Sequence, residues 1–105
     1  MLIEVNDNTF DKEVIEESNN RVIIVDYYSN SCGPCKRLIP KLENVSEKTG
    51  NNIVKVNIED SFESSMRNKI RTIPTLVVYK DGEVVQSLTG CSQISEYEIE
   101  ELFNL

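Results

Sequence analysis

An α/β domain is the fold class this sequence predicts: three layers, with a central mixed five-stranded sheet flanked by four helices, in the order βαβαβαββα. Three observations predict it. Helical and extended hydrophobic patterns alternate along the chain. The stretch Arg21-Val22-Ile23-Ile24-Val25-Asp26-Tyr27-Tyr28 is β-branched and aromatic on both alternating faces, as a strand covered on both sides must be. Near the end, Asp81-Gly82 stands between two extended runs and predicts a two-residue hairpin, so the last strands pair antiparallel.

Residues 2–5 read as a short first strand. Residues 9–18 carry Phe10 and Val14 four apart behind Asn8 or Thr9 as cap, the pattern of a helix. After the strand at 21–28 comes Cys32-Gly33-Pro34-Cys35. A helical pattern of Leu38, Leu42 and Val45 follows and closes at Gly50 as its left-handed stop. Pro40 lies inside that pattern, where the missing backbone donor predicts a kink rather than an end. Residues 53–58 form the next strand, and Asp60 or Ser61 caps a short helix holding Phe62 and Met66. Leu76–Lys80 and Glu83–Leu88 are the hairpin strands. The last helix opens with a capping box, Ser95 with Glu98, and a hydrophobic staple, Ile94 with Ile99; Ile99, Leu102 and Phe103 supply its apolar stripe.

With 105 residues, no repeat and no Pro- or Gly-rich linker, residues 1–105 read as one domain. Hydrophobic residues make up 39% and charged ones 28%, an ordinary balance for a folded soluble chain. Eleven Lys and Arg against eighteen Asp and Glu leave a net charge of -7. That balance supplies no basic face, so nucleic acid and anionic membrane are excluded as main partners. The longest aliphatic run, Val22-Ile23-Ile24-Val25, is far short of the ~20 residues that cross a bilayer. The opening Met1-Leu2-Ile3-Glu4-Val5-Asn6-Asp7 lacks the basic and apolar segments of a secretory leader, so the expected location is cytoplasmic.

The chain has three Cys and no His. Without His there is no Ser-His or Cys-His nucleophile pair, no His-ligated metal and no imidazole base. An odd number of Cys argues against a disulfide-stapled secreted scaffold. Cys32 and Cys35 form a C-x-x-C pair, which reads as half of a zinc site or as a redox dithiol. Zinc takes four ligands, and only Cys91 remains; carboxylates would have to complete the site, which is unusual for structural zinc. The dithiol is the favoured reading, with no metal expected.

The position of the pair accounts for its expected reactivity. It follows a buried strand and opens a helix, so Cys32 falls at or near the cap. There a thiolate meets unpaired N–H groups and the positive end of the helix dipole. Pro34 suits the first turn, where no N–H is needed, and Lys36 and Arg37 add positive charge. All of these favour thiolate, the reactive form. Cys35, three positions on, shares a helical face with Cys32 and can attack a mixed disulfide from behind. Asp26 interrupts the apolar strand six residues before Cys32, and Lys55 similarly interrupts the neighbouring one. Two readings of Asp26 stay open: a buried acid–base group that takes the Cys35 proton, or half of a surface ion pair near a strand end.

The matching pieces Val25-Asp26-Tyr27, Cys32-Gly33-Pro34-Cys35-Lys36, Pro40, Lys55-Val56-Asn57-Ile58, Ile73-Pro74-Thr75-Leu76, Lys80-Asp81-Gly82-Glu83 and Gly90 make the chain similar to the thioredoxin family over essentially its whole length. The resemblance implies Cys32 as exposed attacking thiol, Cys35 as buried resolving thiol and redox-active disulfide partner, and Asp26 as proton acceptor assisted by Lys55. It implies a cis Ile73-Pro74 peptide beside the dithiol, with Gly33, Pro34, Ile73, Pro74 and Gly90 lining the substrate-docking surface. It also implies a monomeric general protein-disulfide reductase without bound cofactor, acting on disulfide-containing proteins and recharged by a separate thioredoxin reductase. The Gly-Pro spacer resembles that of the reducing members.

Two departures stand out. Where the family usually has Trp before the first Cys and again three residues earlier, this chain has Ser31 and Tyr28. Tyr28 can still pack against the dithiol loop with its hydroxyl seeking a partner, whereas Ser31 removes a large flat apolar contact and bears on partner range. Cys91 beside Gly90 reads as a small, partly buried residue or as a third redox thiol. The alternative functions are a dedicated electron donor to one partner enzyme system, or a thioredoxin-fold interaction module with incidental redox activity.

Overall fold

Five strands form one sheet in the order β1-β3-β2-β4-β5. The computed structural model describes residues 1–105. In it β1 is Leu2–Glu4, β2 Ile23–Tyr28, β3 Ile53–Asn57, β4 Thr75–Lys80 and β5 Glu83–Thr89. Strand β3 runs parallel to both β1 and β2, while β4 runs antiparallel to β2 and to β5. The sheet is therefore mixed, as its sequence pattern predicts. The β4–β5 turn has Asp81 at φ 53° and Gly82 at φ 81°, the doubly left-handed pair that a two-residue hairpin demands.

Strand β2 lies at the centre because its side chains bury on both faces. One face joins Val25 and Tyr27 to Val5, Phe10, Val14, Val56, Val77 and Tyr79. The other joins Ile24 to Leu38, Leu42 and Val45 of α1 (Gly33–Thr49) and to Ile99 and Leu102 of α3 (Glu96–Leu102). Helix α1 runs through Pro40 and stops at Gly50, whose φ is 74°. Both halves of the Ser95–Glu98 capping box are present at 3.1 Å, and the Ile94–Ile99 staple is buried.

The first helical segment departs from expectation. It winds as a π-helix over Asp11–Glu16 and a 3₁₀ turn over Glu17–Asn19. No Asn8 or Thr9 side chain caps it; instead Asn6 Oδ1 accepts the Asn8 N–H at 2.9 Å. The winding has a physical reason. Its buried positions, Phe10, Val14 and Ser18, recur every four residues. A 3.6-residue turn would swing each of them by about 40° from the last, and a wider turn offsets that drift.

Helix α2 (Phe62–Arg67) also corrects the sequence reading. Phe62 and Met66 are 67% and 62% exposed, while Ser61, Ser64 and Ser65 face inward. The inner face is polar because it meets a polar point of the sheet. Buried Tyr27 and Tyr79 join their hydroxyls at 2.7 Å, Tyr79 donates to Asn68 Oδ1 at 2.8 Å, and Asn68 Nδ2 donates to the Ser64 carbonyl. Ser61 takes the N-cap position, as its sequence predicts, but its side chain makes no capping hydrogen bond. Asp7, from the loop after β1, accepts the Glu63 and Ser64 N–H groups at 3.2 and 2.8 Å. The Ser64 hydrogen bonds hold its carboxyl below the ordinary 3.8. Replacing Asp7→Ala is expected to cost about 1 kcal/mol in urea unfolding, the usual worth of a cap, and Asp60→Ala less than about 0.5 kcal/mol. Equal losses would return the cap to Asp60.

Candidate active site

Strand β2 delivers the chain to the start of α1 through the short link Ser29–Ser31. Cys32 occupies the N-cap in extended conformation, φ -90° and ψ 108°, with Pro34 in the first turn. Its Sγ accepts the Cys35 backbone N–H at 3.1 Å. That contact directs an unpaired helix donor at sulfur, the arrangement that favours a thiolate. Cys32 and Cys35 are joined as a disulfide with their Cα atoms 5.2 Å apart. Cys32 is half-buried and reachable from solvent; Cys35, one turn along, is 1% exposed. Lys36 and Arg37 are exposed beside them.

The sheet brings the remaining pieces to this end. Because β4 is antiparallel to β2, Tyr27 is level with Thr75, and the start of β4 lies beside the end of β2. The Ile73-Pro74 peptide at that start is cis. The hairpin then returns β5 to the same end, where the Gly90 N–H donates to the Pro74 carbonyl at 3.0 Å. Gly90 has φ 64°, a left-handed conformation that glycine adopts without strain. Ile73 is half-buried, Pro74 buried, and Gly33, Ser31 and Gly90 are exposed. Cys91 follows, half-buried, its Sγ 3.7 Å from the Pro74 carbonyl. Burial pushes its thiol upward, toward the unreactive protonated form.

Asp26 is completely buried, so it is no part of a surface ion pair. Neither carboxylate oxygen has a hydrogen-bond partner in the protein. Desolvation raises its pKa from 3.8 to about 7, against the opposing pull of Lys55 and with a push from Glu4. Lys55 is level with Asp26 on the next strand. Its ammonium makes no contact ion pair; it sits 4.2 Å from the centre of the Tyr28 ring. The Tyr28 hydroxyl finds its partner across β3, donating to Glu4 Oε1 at 2.7 Å. Sequence patterning does not single out Glu4, an exposed acid in a three-residue strand; only the strand order reveals its place.

A dithiol–disulfide pair at a helix N-terminus, backed by a buried carboxyl on a mixed sheet, defines the class of thiol–disulfide oxidoreductases. Comparison with known proteins makes the assignment specific. The family profile for thioredoxin matches residues 1–101. The thioredoxin of Streptomyces clavuligerus is 36% identical over 91 residues, covering 86% of this chain and 83% of that protein. The thioredoxin of Listeria monocytogenes is 33% identical over 106 residues, covering 99% and 97%. Among solved structures, a point-mutant thioredoxin from Halobacterium salinarum superposes with a TM-score of 0.82 at 27% identity, covering 98% of this chain and 88% of that one. The chain belongs to the thioredoxin family, and it is a thiol–disulfide oxidoreductase with a redox-active Cys32–Cys35 pair.

Raising the pKa of Asp26 on folding makes its ionisation a cost to the folded state. The cost is absent below the ordinary 3.8, grows as pH rises, and is complete above about 7. Asp26→Asn, which never ionises, removes it. The stability difference, variant minus wild type, is expected to increase between pH 4 and pH 8 by on the order of 3–4 kcal/mol in urea unfolding of the disulfide form. A difference that stays flat across this range would show that Asp26 is not the group responsible.

Proposed function

We propose that this chain reduces protein disulfides by a two-step exchange in which Cys32 attacks, Cys35 resolves and Asp26 receives the proton. The Cys32 thiolate attacks one sulfur of a substrate disulfide. A Cys32–substrate disulfide forms, the substrate S–S bond breaks, and the other substrate sulfur leaves as thiolate. Cys35 then gives its proton to the Asp26 carboxylate and attacks the Cys32 sulfur. The intramolecular disulfide forms, and the second substrate sulfur leaves as thiolate. Two electrons have passed from the dithiol to the substrate.

The observation that carries this reading is the unequal exposure of the pair: Cys32 is reachable at the helix cap, and Cys35 is buried. Asp26 lies on the sheet face that α1 covers, and its pKa near neutrality suits a group that takes and returns a proton around pH 7. Lys55 assists from the adjacent strand by bounding how far that pKa rises.

Gly33, Pro34, Ile73, Pro74 and Gly90, with Ser31 and Tyr28 at the margin, form the substrate-docking surface. Their clustering at one end of the sheet and the backbone of Ile73 suit an extended segment of a substrate protein. No bound cofactor takes part. A separate thioredoxin reductase restores the dithiol, so the chain works in cytoplasmic electron transport and redox homeostasis as a monomer. The exposed Ser31 beside Cys32 favours a second reading, a dedicated donor to one partner enzyme, since a small polar residue there gives little general apolar grip.

Two variants test the exchange. Cys35→Ser is expected to accumulate mixed disulfides with substrate proteins, visible on non-reducing gels and assigned to Cys32 by mass spectrometry. Cys32→Ser should lose insulin reduction entirely. Turnover retained in Cys32→Ser would overturn the assignment, and slow insulin reduction by the unmodified chain beside fast reduction of one partner would favour the dedicated donor.

A further inference from the structure

The exchange uses Asp26 and Lys55 but leaves unexplained the two side chains that surround Lys55. Glu4 on β1 is level with Lys55 on β3, and Lys55 is level with Asp26 on β2. Three charges thus stand in a row across three parallel strands, about 4.8 Å from strand to strand, with side chains on one face. The row grades from water to core. Glu4 is exposed, Lys55 half-buried and Asp26 wholly buried. Tyr28, two residues along β2 from Asp26, ties the row together. Its hydroxyl holds Glu4 at 2.7 Å, and its ring carries the Lys55 ammonium at 4.2 Å.

We infer that Glu4 and Tyr28 are positioning residues that hold the Lys55 ammonium on the aromatic ring, short of a contact ion pair with Asp26. This rests on the reading of Asp26 as the acceptor of the Cys35 proton. The physical case concerns what a contact pair would do. An ammonium seated on Asp26 would keep the carboxylate ionised well into acid and make it a poor base toward a thiol. With no cation nearby, a wholly buried carboxyl would hold its proton past neutrality. Glu4 attracts the ammonium from the far side, and the ring gives it a resting place between the two carboxylates.

No other charge competes for the position. Level with Asp26 on β4 is Leu76, and the buried residues of α3 are Ile99 and Leu102. Also on this side are half-buried Lys41 of α1, whose ammonium donates to the Ser92 and Ile94 carbonyls at 3.2 and 2.9 Å, and the Met1 ammonium, which donates to Ser46 Oγ at 2.6 Å. The Cys35 sulfur is in the disulfide, and the half-buried Cys91 thiol after β5 bears no charge.

The Asp26 side-chain carboxyl carbon, followed by NMR through a pH titration of the full-length disulfide form, reads the arrangement without any turnover. Glu4→Gln should lower the Asp26 midpoint by more than about half a pH unit, the direct effect of losing one charge about 10 Å away, because the released ammonium then shifts toward Asp26. Tyr28→Phe, which keeps the ring but releases Glu4, should lower it in the same direction by less. Glu13→Gln, on the first helical segment, should leave it in place. The pH profile of mixed-disulfide resolution should move by the same amount as the midpoint in each variant. A midpoint that Tyr28→Phe leaves unchanged or raises overturns the inference, because loss of the Glu4 charge by itself would lower it in Glu4→Gln. A resolution profile that Asp26→Asn leaves unaltered would instead overturn the proton role, while the carboxyl titration still decides what Glu4 and Tyr28 do.

Discussion

A carboxylate in a strand that water cannot reach is the constraint on which the rest of this molecule depends. Asp26 lies in β2, the central strand of the sheet, with a packed core on both faces. Its burial works against folding, because an ionised group without hydrogen-bond partners loses its hydration with nothing in exchange. Two apolar clusters, one on each side of the sheet, carry the stability that offsets this. The covering that excludes water from Asp26 includes α1, and α1 begins with the dithiol. The same packing that makes the carboxyl costly therefore sets the helix that carries the pair of thiols against its face of the sheet.

The change from parallel to antiparallel pairing at β4 has an equally direct consequence. In an all-parallel sheet every strand would end where β2 ends, and the loops meeting the dithiol would all follow strands. Because β4 is reversed, a strand start sits there instead, bringing Ile73-Pro74 to the level of the Cys32 loop. The Asp81-Gly82 turn is so tight that β5 returns to the same place, and Gly90 binds the Pro74 carbonyl. Three segments distant in sequence meet because two pairings are antiparallel.

The legible parts of this fold are those whose signals are local. Strand β2 announces itself by composition, the hairpin by two residues, and the last helix by a box and a staple whose partners lie within five positions. The Cys32 cap is legible for the same reason, since strand, spacer and helix are contiguous. What stays hidden depends on residues far apart in the chain. Asp7 caps α2 across more than fifty residues, and no local pattern connects them. Phe62 and Met66 are spaced like a buried stripe, yet the face beneath α2 meets tyrosine hydroxyls, so the serines turn inward. Glu4 is an ordinary acid until strand order sets it beside Lys55.

The three cysteines show that environment, not residue type, decides reactivity here. Two hydrogen bonds make the contrast. The Cys32 sulfur accepts a backbone N–H at a helix start, which stabilises negative charge on sulfur. The Cys91 sulfur faces the Pro74 carbonyl, which rewards a thiol that keeps its proton, and burial acts in the same sense. Cys35 has neither bias in the open; it is enclosed, and needs a base brought to it. In the exchange proposed above Asp26 is that base: a buried carboxyl whose pKa is raised to about 7, in a chain without histidine. On that proposal, burial of Asp26 supplies the titration near neutral pH that imidazole supplies elsewhere.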